Sequence, residues 1–124
     1  MPHLPEIAII VEFETLEGAE PEFLRIMQDH AQRTLDEEEG CIRFEVYKPI
    51  DEDGAPIPNR VLIDELYADQ AAAESHQLNP RMSAFRLIVD PLLKSRKRLI
   101  ARSIAEREPE QGIPPSELNA ANDD

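Results

Sequence analysis

Two side chains in the segment Asn59–Phe85, Glu65 and His76, have the types and spacing to move a proton. Residues 60–67 alternate, so Val61, Ile63, Glu65 and Tyr67 share one face of a strand, and that face is apolar except for one carboxylate. An inward Glu65 would be partly desolvated, which raises a carboxyl pKa and suits it to accept a proton or anchor a hydrogen bond. Its other reading is an ion pair with an arginine of a partner subunit, or a cap on a nearby helix. His76 follows at the end of a short helical stretch. There an imidazole can shuttle a proton near neutral pH or orient a phenolic hydroxyl. Alternatively it only caps the last carbonyls of its own helix. A second imidazole, His30, borders the apolar stripe of an earlier helix. It reaches the same pocket if that helix crosses the sheet, and otherwise sits at the core rim bonded to a carbonyl.

The elements that must position these groups can be read from period and punctuation. The first strand spans 6–14, with Ile7, Ile9, Val11 and Phe13 on one face and Ala8 and Ile10 on the other. Apolar residues on both faces predict a central strand. A helix is expected over 20–37, with Phe23, Leu24, Met27, Ala31, Thr34 and Leu35 in one stripe and Pro21 in its first turn. Gly40 reads as its stop. Asp36, Glu37, Glu38 and Glu39 oppose the helix dipole at that end, and nothing nearby in sequence compensates them. A second strand, 41–48, should put Ile42, Phe44 and Val46 on one face and Cys41, Arg43, Glu45 and Tyr47 on the other. A proline-containing loop leads to the strand at 60–67. Asp69 then caps a helix from Gln70 to about His76, which must change course before Pro80. A further helix over 81–89, interrupted by Pro91, precedes a last strand at 96–104. The order βαββαβ predicts an α+β, ferredoxin-like fold with an antiparallel sheet. Four strands with helices on one face leave the face carrying Ile10 uncovered, and a second subunit is its simplest cover.

Bulk properties exclude several function classes. The chain has 124 residues and a formal charge of −13, which argues against a nucleic-acid partner. The basic run Lys94, Arg96, Lys97, Arg98 and Arg102 lacks interleaved aromatics and reads as a solvated edge protected by charge. No stretch approaches the roughly 18 apolar residues of a membrane span. The first residues carry no basic region followed by an apolar run, so no secretory signal is read. The lone Cys41 cannot form an intrachain disulfide and fits a reducing, cytoplasmic setting. His3, His30 and His76 show no helical zinc spacing, so no metal site is expected. The four glycines stand apart, without a phosphate-cradling loop, so no nucleotide, flavin or nicotinamide cofactor is indicated. Tyr47, Tyr67, Phe44, Phe85, Met27 and Met82 could line a pocket for a flat aromatic molecule, although core packing is their usual role.

Four motifs add to this reading: Glu38-Glu39-Gly40-Cys41-Ile42-Arg43-Phe44-Glu45-Val46, Glu65-Leu66-Tyr67-Ala68-Asp69, Ala72 to His76, and Pro80 to Phe85. In this order they resemble the antibiotic biosynthesis monooxygenase (ABM) family, which includes quinol monooxygenases, over roughly residues 6–105. The resemblance implies a dimeric α/β barrel built from two ferredoxin-like sheets. It also implies a monooxygenase that oxidises a small hydroxy-aromatic, such as a quinol or anthrone, with molecular oxygen and no bound cofactor. Glu65 and His76 would then be catalytic, and His30, Phe44, Tyr67, Met82 and Phe85 would bind substrate. The same scaffold could instead host an isomerase or lyase for a small oxygenated metabolite, or a non-enzymatic ligand-binding or stress-associated dimer. Residues 1–105 are expected to form the domain, and 106–124 an acidic, proline-punctuated tail.

Overall fold

The computed structural model describes residues 4–104. His3 and the acidic tail expected from residue 106 lie outside the described residues. The elements are β1 (Ile7–Thr15), α1 (Glu20–Glu37), β2 (Cys41–Tyr47), β3 (Arg60–Tyr67), α2 (Gln70–Leu78), α3 (Pro80–Val89), a single 3-10 turn (Asp90–Leu92) and β4 (Leu93–Arg102). The strands form one open antiparallel sheet in the order β2-β3-β1-β4. This is the α+β, ferredoxin-like arrangement. No helix of the described residues is long and apolar enough to cross a membrane.

The core forms between the helices and one sheet face. Ile7, Ile9, Val11 and Phe13 of β1 and Val61, Ile63 and Tyr67 of β3 point into it and are buried. From α1 come Phe23, Met27, His30, Ala31 and Thr34. His30 is thus inside the stripe rather than beside it, while Leu35 is left 37% exposed at the margin. Phe13 and Phe23 meet as tilted rings with centroids 4.9 Å apart, a favoured aromatic geometry.

Three local departures from simple periodicity shape the site. In β2 the register slips between Cys41 and Arg43, so Cys41 pairs with Tyr67 and Phe44 with Glu65. This bulge turns Ile42 out to solvent and brings Cys41 to the buried face with Phe44, against the strict alternation expected. The second helix runs two residues past His76, to Leu78. Asn79 then takes an extended conformation before proline, and its side chain accepts from the Arg81 backbone N–H at 2.9 Å. This cap starts α3 at Pro80. Finally, β4 begins at Leu93 and ends at Arg102, not 96–104. Leu92 and Leu93 pack on the core, and the Leu16 N–H donates to the Leu92 carbonyl at 2.9 Å. Tertiary burial therefore draws the strand start toward the 3-10 turn.

Gly40 is not the stop of α1, which already ends at Glu37. A Cβ at position 40 would lie 2.4 Å from the Cβ of Ala72, so the residue permits close contact between the β2 entry and α2. Gly40→Ala is expected to lower stability by about 1–3 kcal/mol in urea unfolding. Combined with Ala72→Gly, the loss should be smaller than the sum of the two single changes. Strict additivity would mean that the contact does not limit this packing.

Candidate active site

The inward row of β3 places Glu65 between Ile9 of β1 and Phe44 of β2. Its carboxyl is 4% exposed and accepts a 2.5 Å hydrogen bond from the Tyr67 hydroxyl at Oε1. Burial pushes its pKa up to about 7, opposed by the Tyr67 hydrogen bond and by Arg98 and reinforced by Glu38 and Asp64. Burial, with the Glu65 charge and hydrogen bond, drives the Tyr67 hydroxyl far above its usual range. Tyr67 therefore stays a neutral donor.

His76, 1% exposed, hangs from α2 over this carboxyl with Nε2 3.6 Å from Glu65 Oε1. Its Nδ1 lies 2.9 Å from both carboxylate oxygens of Glu38. A carboxylate only accepts, so Nδ1 carries a proton. Burial lowers the His76 pKa against the opposing pull of Glu38. The neutral ring then holds its lone pair on Nε2, the atom nearest Glu65.

Glu38 in turn accepts from Arg81 Nη2 at 3.0 Å, and Asn79 Nδ2 stands 3.5 Å away. Arg81 Nη1 lies 3.1 Å from His30 Nδ1. A guanidinium can only donate, so His30 Nδ1 accepts and Nε2 bears the hydrogen. Burial, then His76, Arg81 and Arg33, bring the His30 pKa down to about 3, which keeps this ring neutral. It stacks on Phe85 with centroids 3.9 Å apart and an interplanar angle of 19°. Tyr67, Glu65, His76, Glu38, Arg81 and His30 thus form one continuous polar chain through the core.

This chain borders a cavity of about 490 Å³ between the sheet and the helices. Its wall brings together Met27, His30, Phe44, Glu65, His76, Met82 and Phe85, whereas Tyr47 is 46% exposed and is not part of it. Tyr67 does not stand on its wall; it is fully buried beneath Glu65 and acts through that carboxyl. Sequence reasoning missed Glu38, Arg81, Arg86 and Arg98. Glu38 and Arg81 were visible only as helix-end residues. The β4 arginines were read as solvated edge, but pairing of Arg98 with Val11 and Arg96 with Phe13 puts them on the helix-facing side of the sheet, where both line the cavity. Cys41 is held well above its ordinary pKa, at about 11, chiefly by burial, and remains a thiol. Among the described residues, no three His, Cys, Asp or Glu side chains group as a metal site.

Residues 6–86 match the family described as antibiotic biosynthesis monooxygenase. The chain belongs to that family. Glu38, Glu65, His76 and Arg81 lie within the matched segment, and Arg96 and Arg98 beyond it. Among solved structures, a Pseudomonas aeruginosa protein superposes with a TM-score of 0.70 at 17% identity, covering 85% of this chain and 100% of its own. A Mycobacterium tuberculosis protein gives 0.68 at 20% identity, covering 83% and 99%. A Nitrosomonas europaea protein, provisionally assigned as an antibiotic biosynthesis monooxygenase, gives 0.69 at 18%, covering 84% and 94%. At these identities the likeness speaks for the ABM fold. No curated protein sequence matches the chain.

The raised pKa of Glu65 carries a stability signature. Below its ordinary value of 4.5 the group is protonated in both folded and unfolded chains; between there and about 7 the unfolded chain ionises first. Its contribution therefore falls as pH rises through this window and is lowest above it. Glu65→Gln keeps a neutral acceptor for Tyr67 and removes the titration. Its stability relative to the parent should improve by on the order of 2–3 kcal/mol between about pH 4.5 and about pH 8 in urea unfolding. A pH-independent difference would contradict the burial argument.

Proposed function

We propose that this ABM-family protein is a cofactor-independent monooxygenase acting on a small hydroxy-aromatic of the quinol or anthrone type. The observation that carries the reading is the neutral His76, whose free Nε2 lies at a cavity wall 3.6 Å from a carboxyl with a pKa near 7. Of the two roles open to each group from the sequence, this proposal gives the base to His76 and the hydrogen-bond anchor to Glu65. Glu38 fixes the tautomer and angle of His76, which removes the phenolic or enolic proton. Glu65, steadied by Tyr67, is the partner that donates to the developing oxyanion when protonated and later returns a proton. Phe44, Met82 and Phe85 hold the ring in a water-poor setting, and His30 offers its Nε2–H as a further donor.

Removing the proton makes an electron-rich anion able to pass an electron to oxygen. Recombination at the activated carbon forms a C–O bond. For an anthrone methylene, loss of water then gives the carbonyl, with one oxygen atom in product and one in water. We further propose a cytoplasmic homodimer paired through the uncovered sheet face, where Ile10, Leu62 and Leu66 are only half-buried and Leu99 is 63% exposed.

Oxygen uptake over a panel of quinols and anthrones tests the chemistry. His76→Ala should lower protein-dependent uptake by about a hundredfold or more, the usual range for a lost general base. Glu38→Gln should lower it less while the fold, followed by circular dichroism, persists. Unchanged uptake in both variants would sink the assignment. Proton exchange at a substrate carbon without oxygen consumption would favour an isomerase or lyase on the same residues. Turning to the assembly, Leu99→Asp should convert a dimer to a monomer in sedimentation, and a parent protein that is already monomeric would remove the dimer proposal.

A further inference from the structure

The charge around the cavity runs against that of the chain. The protein carries −13 overall, yet the charged groups on the cavity wall are Arg86, Arg96, Arg98 and Glu65. Arg96 is engaged by Asp90. Arg86 donates one hydrogen bond, to Gln77 Oε1 at 2.9 Å, and keeps its other donors. Arg98 makes no side-chain hydrogen bond or ion pair among the described residues, and its charge is felt by Glu65.

The position of Arg98 adds to its uncommitted donors. In register it opposes Val11 and stands beside Ile100, which opposes Ile9. It also separates the cavity from a neighbouring concavity of about 540 Å³ under α2, and lines both. An edge strand needs cations for solubility, but Lys97 on the opposite face, paired in register with Glu12, already meets that need. A guanidinium beside a buried apolar row is instead placed to receive an anion. Its planar fork matches a carboxylate in two parallel hydrogen bonds.

We propose that the substrate is a hydroxy-aromatic carboxylic acid, whose carboxylate is received by Arg98 with Arg86 at the cavity mouth. This rests on the hydroxy-aromatic reading above and narrows it. The carboxylate at the mouth and the ring against Phe85 and Met82 would direct the hydroxyl toward His76. One anchored end sets the approach of the other, which is the main benefit of a remote binding group.

The test is anaerobic titration calorimetry with gentisate and hydroquinone, two probes that differ by a single carboxylate, on the full chain. Gentisate should bind about tenfold or more tighter than hydroquinone, as a charged hydrogen-bonded pair allows. Added salt should shrink the preference. Arg98→Gln should remove most of it, chiefly by weakening gentisate binding, with Arg86→Gln acting in the same direction. Lys97→Gln should leave it intact, and thermal melts check that each variant folds. Equal affinities, no binding of either probe, or a preference that survives in Arg98→Gln would overturn the proposal. Oxygen uptake is read separately. Preferred binding without uptake keeps the carboxylate and removes the oxygenase, whereas uptake of hydroquinone without preference does the reverse.

Discussion

The carboxylate of Glu38 is the point through which the helices and the cavity are tied together. It sits just past the end of α1, accepts from the imidazole of α2 and the guanidinium of α3, and lies near the Asn79 side chain between those helices. Hydrogen bonds to a charged group contribute roughly 1.5–3 kcal/mol each. The same carboxylate answers a local problem, since the last turn of α1 holds no basic residue and its end is acidic. Arg81 arrives from across the fold and reaches both Glu37 and Glu38, so a destabilising cluster becomes a joint between helices.

From that joint the electrostatics of the cavity follow. Glu38 turns His76 so that its free nitrogen is nearest Glu65. Arg81 occupies the acceptor nitrogen of His30 and turns its N–H outward from that bond. Burial does the rest: it lowers both imidazoles toward neutrality and raises the Glu65 carboxyl toward neutral pH. Two neutral rings and a carboxyl close to half-protonated are a suitable set for transferring protons at neutral pH. The set is held by rigid strands and helices rather than loops, so its geometry is inherited from the packing of the core.

Much of the fold was legible because its signals are local. The stripe of α1, the alternation of β3 and the Asp69 cap of α2 each depend on a few neighbouring residues, and each stands where the sequence put it. The inward placement of Glu65 was legible for the same reason. The errors occur where distant segments compete with local preference. The β2 bulge exchanges the roles of Cys41 and Ile42, because pairing with β3 decides which residue goes unmatched. The early start of β4 follows from burying Leu92 and Leu93.

By itself the sequence determined the order of elements, the apolar faces and the candidate residues Glu65, His76 and His30, since each is written in short-range spacing, and its motifs carried the ABM resemblance. Only the tertiary structure decided how those residues meet. Glu38 and Arg81 are 43 positions apart, and no periodic pattern links an acidic helix end to an arginine after a proline. Arg96 and Arg98 read as surface charge until pairing with β1 set their side of the sheet. A side chain's type is a local property. Its partner, pKa and exposure depend on contacts between segments far apart in the chain, and those are created by folding.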